Sequence, residues 1–390
     1  MQNIVLNKPY CFFPPFNGKI LPKIINFFIS AYLKREDGVV SVEFKGLDNL
    51  RRSISSGSGI VLAPNHCRPS DPPVMGLLSK KIGFPFYYMA SWHLFMQGRI
   101  KELILRSFGA FSVYREGVDR LAVKTAVEIM IAGERPLVIF PEGHITRSND
   151  LLHPFMEGIS LMVKMADKER VKRSLSPVIV HPTAIRYKLL DDVTASLNTV
   201  LDEIEQKFFW RHRELPLKER VIKVGEALLA LKELEYFNEV KSGSMTERIQ
   251  LLTDLLLGRV ESKWLNGKHH ALLMENVNAL RHAILEKMLD ENLSEEETKA
   301  CWDDLADIYL AVQLSCYPAD YLGENPTMER LAETVERFEE DTTDKARIHG
   351  RWKAIVEIGD GIVPANIQGG KFNVVLQTKM SELLHGLETK

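Results

Sequence analysis

Cysteine is scarce. Cys11, Cys67, Cys301 and Cys316 are scattered and form no C-x-x-C pair, which excludes a disulfide framework or thiolate zinc site and fits a reducing compartment. Long apolar runs are missing as well. The stretch from Ile20 to Leu33 contains Lys23 and falls short of the roughly 20 apolar residues that a spanning helix needs. Pro9, Pro14, Pro15 and Pro22 break up this region and no small-residue cleavage site follows it, so no secretory signal is expected. There is no G-x-x-x-x-G-K-[ST] phosphate loop, G-x-G-x-x-G fingerprint or G-x-S-x-G elbow; Ser56-Gly57-Ser58-Gly59 has the wrong spacing. His269 and His270 lack an H-E-x-x-H frame, which leaves them as solvated helix-end residues.

What is present is ordinary globular material: 390 residues, 45% hydrophobic and 26% charged, enough for one large domain or two and too apolar for disorder. The net charge of −2 conceals an asymmetry. Residues 1–190 hold 26 Lys and Arg against 15 Asp and Glu, whereas residues 191–390 hold 24 against 37. A basic first half suits an anionic partner, and two complementary lobes explain it equally well. The basic residues form no run or recognised module, so no nucleic acid is expected.

Residues 1–36 read as a basic segment with an amphipathic helix. Leu21, Ile24, Ile25, Phe28 and Tyr32 share one helical face, and Lys19, Lys23, Asn26, Ser30 and Lys34 share the other. Such a helix can lie in a lipid interface or pack on the core. From residue 58 to about 190, short apolar runs alternate with helical periods. The runs are Ile60–Ala63, Phe86–Met89, Phe111–Tyr114, Leu137–Phe140 and Val178–Val180; Val123, Val127, Met130 and Ile131 make a helical stripe closed by Gly133. Runs without alternation are strands buried on both faces, hence a mostly parallel sheet flanked by helices, an α/β fold. Residues 193–348 are acidic and helical, with five or six helices, capping boxes at Ser244 and Ser294, and apolar stripes through Leu251, Leu255 and Val260 and through Leu305, Ile308, Tyr309 and Val312. Ala354–Ile358 is again strand-like and Phe372–Leu387 helical. The expected organisation is an α/β domain over 37–192 and 349–390, with a large all-helical insertion at 193–348.

The strongest local signal is Asn65-His66-Cys67-Arg68-Pro69-Ser70-Asp71, directly after a strand. Pro69 and Pro72 forbid a continuous helix, and positions five apart on a helix would not meet. The chain therefore loops through His66 and starts a helix near Asp71, with Pro72 in its first turn. That fold brings the carboxylate back to the imidazole, leaving the other ring nitrogen to take a proton from a hydroxyl. The plainer alternative is a helix-capping Asp beside a loop His. Three more segments end strands: Gly109 to Arg115, Phe140-Pro141-Glu142-Gly143 followed by Arg147, and Val178 to Ile185. In a parallel sheet the C-terminal strand ends share one edge, so His66, Arg115, Glu142 and Arg147 should converge there. The guanidinium fork suits phosphate. Cys67 is read as packing, as are most of Phe84, Phe86, Tyr87, Tyr88, Trp92 and Phe95, whose alternative role is an acyl groove or a membrane contact.

These four segments, in this order, resemble the sequence blocks of the glycerolipid acyltransferase superfamily, whose members include glycerol-3-phosphate and 1-acylglycerol-3-phosphate acyltransferases. The resemblance covers about residues 40–190 and 350–390. It implies acyl transfer from acyl-CoA or acyl-ACP, without metal or other cofactor, to a lysophospholipid hydroxyl, most naturally that of 1-acylglycerol-3-phosphate. It further implies His66 as general base oriented by Asp71, with Arg115, Glu142, Gly143 and Arg147 holding the phosphate-bearing acceptor. It implies a cytoplasmic enzyme, peripheral at a membrane surface. Three features depart from the family pattern: the Arg after F-P-E-G comes two positions late, Met89 to His93 holds no Lys, and the helical insertion is extra. A different acceptor headgroup, a lipid-binding member without turnover and a hydrolase are the competing readings.

Overall fold

The computed structural model describes residues 8–18, 20–210, 214–318, 320–367 and 370–388. Residues 189–351 form one compact unit, and residues 9–188 with 352–390 form the other. Of the N-terminal segment read from the sequence, Met1 to Asn7 and Lys19 lie outside the described residues.

The second unit is built on a seven-stranded sheet. Its elements are α1 (Ile20–Glu36), β1 (Val39–Lys45), α2 (Leu47–Ser55), β2 (Gly59–Pro64), α3 (Asp71–Ile82), β3 (Tyr87–Ser91), α4 (Trp92–Phe95), α5 (Arg99–Ser107), β4 (Ala110–Val113), α6 (Arg120–Ala132), β5 (Leu137–Val138), α7 (Gly158–Lys172) and β6 (Val178–Leu189). After the helical unit come β7 (Trp352–Ile358) and α14 (Phe372–Glu388). The strand order is β1-β7-β6-β2-β5-β3-β4. β6, β2, β5, β3 and β4 pair in parallel. β1 and β7 are parallel to each other but run against β6, as the antiparallel bridge between Val180 and Ile362 shows. The expected α/β architecture is therefore present, with its last strand reversed. Reversal sets the start of β1 and of β7 at the same edge as the C-terminal end of β2.

β2 is buried along its whole length, as an apolar run without alternation requires. Val61 and Ala63 join one core with Ala126, Met130, Val163 and Leu384 of α6, α7 and α14. Strand alternation turns Ile60 and Leu62 to the opposite face, where α3 buries Val74, Met75 and Leu78 and α1 packs over it. Gly133 closes α6 in the left-handed conformation, as read from the sequence.

The other unit contains six helices among the described residues: α8 (Thr194–Lys207), α9 (Leu217–Phe237), α10 (Met245–Trp264), α11 (Leu273–Met288), α12 (Glu295–Ser315) and α13 (Met328–Thr343). Capping boxes open α10 at Ser244 and α12 at Ser294. Its core joins Leu252, Leu256 and Val260 to Ile284, Leu305 and Ile308. The α10 stripe is thus Leu252-Leu256-Val260; Leu251, expected inside, is exposed.

Candidate active site

β2 ends at Pro64, and the loop from Asn65 to Ser70 runs along the sheet edge into α3, whose first turn holds Pro72 and Pro73. The loop folds back as its prolines dictate. His66 Nδ1 donates to Asp71 Oδ2 at 2.9 Å, and Arg68 N–H donates to the same oxygen at 2.9 Å. Asp71 has 0% exposure, yet its carboxylate is well supplied with donors. Tyr187 Oη donates to Oδ1 at 2.6 Å, Cys67 Sγ approaches the same atom at 3.8 Å, and the N-terminus of α3 adds its favourable dipole. Burial, with the Asp71 charge beside it, holds the Tyr187 phenol well above its ordinary range, so Tyr187 is a donor. The His66 ring stacks on Phe140 at 4.1 Å. Its Nε2 makes no hydrogen bond to any of the described residues and is not sealed from solvent. A solvent-facing imidazole nitrogen backed by a buried carboxylate is an arrangement that can accept a proton from a hydroxyl.

Two asparagines hold this loop and the segment after F-P-E-G to the sheet. Asn65 Nδ2 donates to the Ile185 carbonyl at 3.0 Å, and Ile185 N–H donates back to Asn65 Oδ1 at 2.7 Å. Asn149 makes the same pair of bonds with Tyr187, both at 2.7 Å. Each side-chain amide thus imitates a neighbouring strand, satisfying backbone groups of β6 where the ladder stops.

Glu142 is occupied inside the protein. Its carboxylate accepts the His66 N–H at 2.7 Å through Oε1 and the His153 N–H at 2.9 Å through Oε2. Burial pushes the carboxyl up to about 8 against those two amides. Both oxygens brace the loops that carry His66 and His153. Gly143 stands at φ +74°, and a Cβ there would run into Met156 Sδ, so the F-P-E-G turn needs glycine. Its carbonyl accepts Arg115 Nη1–H at 2.7 Å, which brings Arg115 to the site edge. Thr146 N–H donates to the His66 carbonyl at 2.8 Å.

Arg147 follows Thr146, whose N–H holds the His66 carbonyl. Arg147 and Arg68 are the cations that act on Asp37, whose carboxyl burial pushes up to about 6; Asp37 precedes β1 at the same sheet edge. Arg68 stacks over the Trp352 ring at 3.9 Å. His144, directly after F-P-E-G, donates through Nδ1 to the Glu142 carbonyl at 3.0 Å. Burial lowers it to about 4, helped by the neighbouring His153, Arg115 and His66, so it is neutral. The structure therefore brings His66, Asp71, Arg115, Glu142 and Gly143 together, and Arg147 and Arg68 both act on Asp37, which Asp71 also influences. The residues the sequence did not single out are Asn149, Tyr187, Asp37 and His153. Asn65, directly before His66, and Asn149, two positions after Arg147, were the available signals; Tyr187 had none.

Cys67, Phe86, Tyr87, Tyr88, Trp92 and Phe95 are buried, as the packing reading holds. Among the described residues, no group of three or more His, Cys, Asp or Glu could hold a metal ion.

No curated protein matches the chain. Residues 41–186 match the family model Acyltransferase, a span that runs from β1 through β6 and takes in both the His66–Asp71 pair and the F-P-E-G turn. The α/β unit therefore carries an acyltransferase domain, and the protein is an acyltransferase.

Proposed function

We propose that the enzyme transfers a fatty acyl group from a thioester carrier, acyl-CoA or acyl-ACP, to a hydroxyl of a lysophospholipid, with 1-acylglycerol-3-phosphate the favoured acceptor. The observation that carries this reading is the 2.9 Å bond from His66 Nδ1 to Asp71, which fixes the tautomer that leaves Nε2 basic. Nε2 takes the hydroxyl proton as the oxygen attacks the thioester carbonyl. The carbon–sulfur bond then breaks, and the departing thiolate receives that proton from the imidazolium. Asp71 supports the imidazolium while it exists. Arg115, fixed on the Gly143 carbonyl, and Arg147 with Arg68 supply the cations for the acceptor headgroup and the carrier phosphates. Glu142 holds the loop of the base.

One observation favours a second acceptor class. Asp37 lies beside Arg68 and Arg147 and offsets part of their charge, so a headgroup less anionic than a phosphate monoester also fits.

The test is acyl transfer by purified wild type and His66→Ala, with labelled acyl-CoA or acyl-ACP offered to glycerol-3-phosphate, lysophosphatidate and other lysophospholipids. A product with one acceptor that falls by about 10²–10⁴-fold in the variant supports general-base catalysis. Transfer unchanged in His66→Ala refutes the assignment. Free fatty acid without acylated lipid would identify a hydrolase.

A further inference from the structure

We propose that the outer faces of α1 and α5 form a docking surface for an anionic phospholipid bilayer. α1 is anchored from beneath through Pro22, Asn26, Ile29 and Leu33. Ile29 lies so close to Gly76 of α3 that a Cβ there would stand 2.6 Å from its Cδ1, and Asn26 Nδ2 donates to Ser79 Oγ at 3.4 Å. With that stripe committed to the core, what faces outward is still apolar. Ile20, Leu21, Ile24, Phe27, Phe28 and Tyr32 are exposed, Phe27 by 70% and Phe28 by 62%. α5 packs beside α1 and adds exposed Ile100, Leu103 and Ile104. Scattered exposed apolar residues are normal, but two adjoining helices that both present them mark an interaction site.

The charges select the occupant. The sequence has no acid before Glu36. Lys23 and Lys34 of α1, Lys80 and Lys81 of α3, and Arg99 and Lys101 of α5 are all exposed, with Lys80 Nζ 5.6 Å from the Phe27 ring centre. The acid of α5, Glu102, is held by Arg106 at 2.9 Å. A second copy of this face would set cation against cation. An anionic headgroup layer instead pairs phosphates with the lysines while aromatic and aliphatic side chains enter the acyl boundary. No helix among the described residues is long and apolar enough to cross a membrane, so the contact is with the interface.

The test is co-sedimentation of the full-length protein with vesicles of phosphatidylcholine, alone or mixed with phosphatidylglycerol, at low and high salt. Wild type is compared with Phe27→Ser/Phe28→Ser and Lys23→Gln/Lys34→Gln; these side chains are exposed, so thermal melts should coincide. Wild type should bind the mixed vesicles, less at high salt. The serine pair should lower binding at least about tenfold, and the glutamine pair about tenfold at low salt only. Wild type that ignores both vesicles, or a serine variant that binds as well as wild type, overturns the proposal. So does a concentration-dependent dimer that the serines abolish, because the face then belongs to a second copy. Transfer to a lysophospholipid kept below its micelle concentration reads the reaction without a surface. Activity there without vesicle binding refutes the docking surface alone, and vesicle binding without transfer refutes the reaction alone.

Discussion

Tyr187→Phe removes a single oxygen and keeps the ring's volume, at a position where that oxygen has one clear duty. Asp71 Oδ2 already serves the His66 ring and the Arg68 amide, while Oδ1 depends on Tyr187 at 2.6 Å, apart from the weak Cys67 thiol. A hydrogen bond to a charged group contributes about 1.5–3 kcal/mol. Without it the carboxylate stays in a dry site with one oxygen poorly satisfied, and Ser70 Oγ, which donates to Tyr187 Oη at 3.1 Å, loses its acceptor. Stability should fall by about 1–3 kcal/mol. Catalysis should fall too, since an imidazolium formed on His66 relies on a carboxylate whose tilt is no longer fixed. If half of the bond's worth is felt only in the transition state, kcat drops about three- to tenfold. KM should hold, because Tyr187 is buried behind Asp71 and touches no acceptor. Steady-state kinetics beside a urea melt reads both. Leu376→Val, in the core with α14, costs about 1 kcal/mol and should leave kcat alone, which separates positioning from mere stability. An unchanged kcat in Tyr187→Phe, or a raised KM at constant kcat, would refute the reasoning.

Gly143→Ala forces a Cβ into the left-handed region and against Met156 Sδ, so stability should fall by about 1–2 kcal/mol. The carbonyl that fixes Arg115 shifts with it, and KM for the acceptor should rise; a KM equal to wild type would separate Arg115 from acceptor binding. One contribution to the pH dependence comes from His144, whose folded value of about 4 lies below its ordinary 6.5. A depressed group stabilises fully above 6.5 and loses that contribution as pH falls through 4, here roughly 2–3 kcal/mol. His144→Gln should therefore lose less stability than wild type between those limits, as melting curves at pH 7 and pH 4 would show; parallel losses would contradict it.

Much of the sheet was legible because its inner strands are apolar without alternation, a pattern that leaves little choice but burial on both faces. β1 escaped for the opposite reason. Val39 to Lys45 is an edge strand with only Val39 fully buried, and its polar interruptions resemble a loop. β6 runs on to Leu189 past Arg186 and Lys188, which break the apolar run the sequence offers. α1 is instructive in a different way. Its apolar residues surround most of the helix, so periodicity finds the face through Leu21, Ile24 and Phe28, and cannot tell that the core takes Pro22, Asn26, Ile29 and Leu33 instead. In the site, prolines made the His66 loop readable. Tyr187, 116 positions from Asp71, leaves no local trace, since strand residues reach a distant loop only through the topology of the sheet.

Glu142 is a motif residue whose carboxyl oxygens are engaged by the protein's own backbone. A glutamate at a strand end, beside arginines, invites the reading that it meets substrate. Its two oxygens accept amides from two segments of the site, His66 N–H and His153 N–H, which Thr146 also joins through its bonds to the His66 carbonyl. A buried carboxyl is costly to ionise, and the amides at 2.7 and 2.9 Å offset only part of that cost. A glutamine could accept only one of these amides through its carbonyl oxygen and would turn an NH₂ toward the other. Acid at this position is therefore explained by the backbone it gathers. The same logic covers Asn65 and Asn149, whose amides end the β6 ladder and carry the His66 loop and the segment after F-P-E-G on the same strand. The base, its carboxylate and the phenol behind it are held by side chains that copy backbone hydrogen bonding, and the precision of the His66–Asp71 contact is built from them.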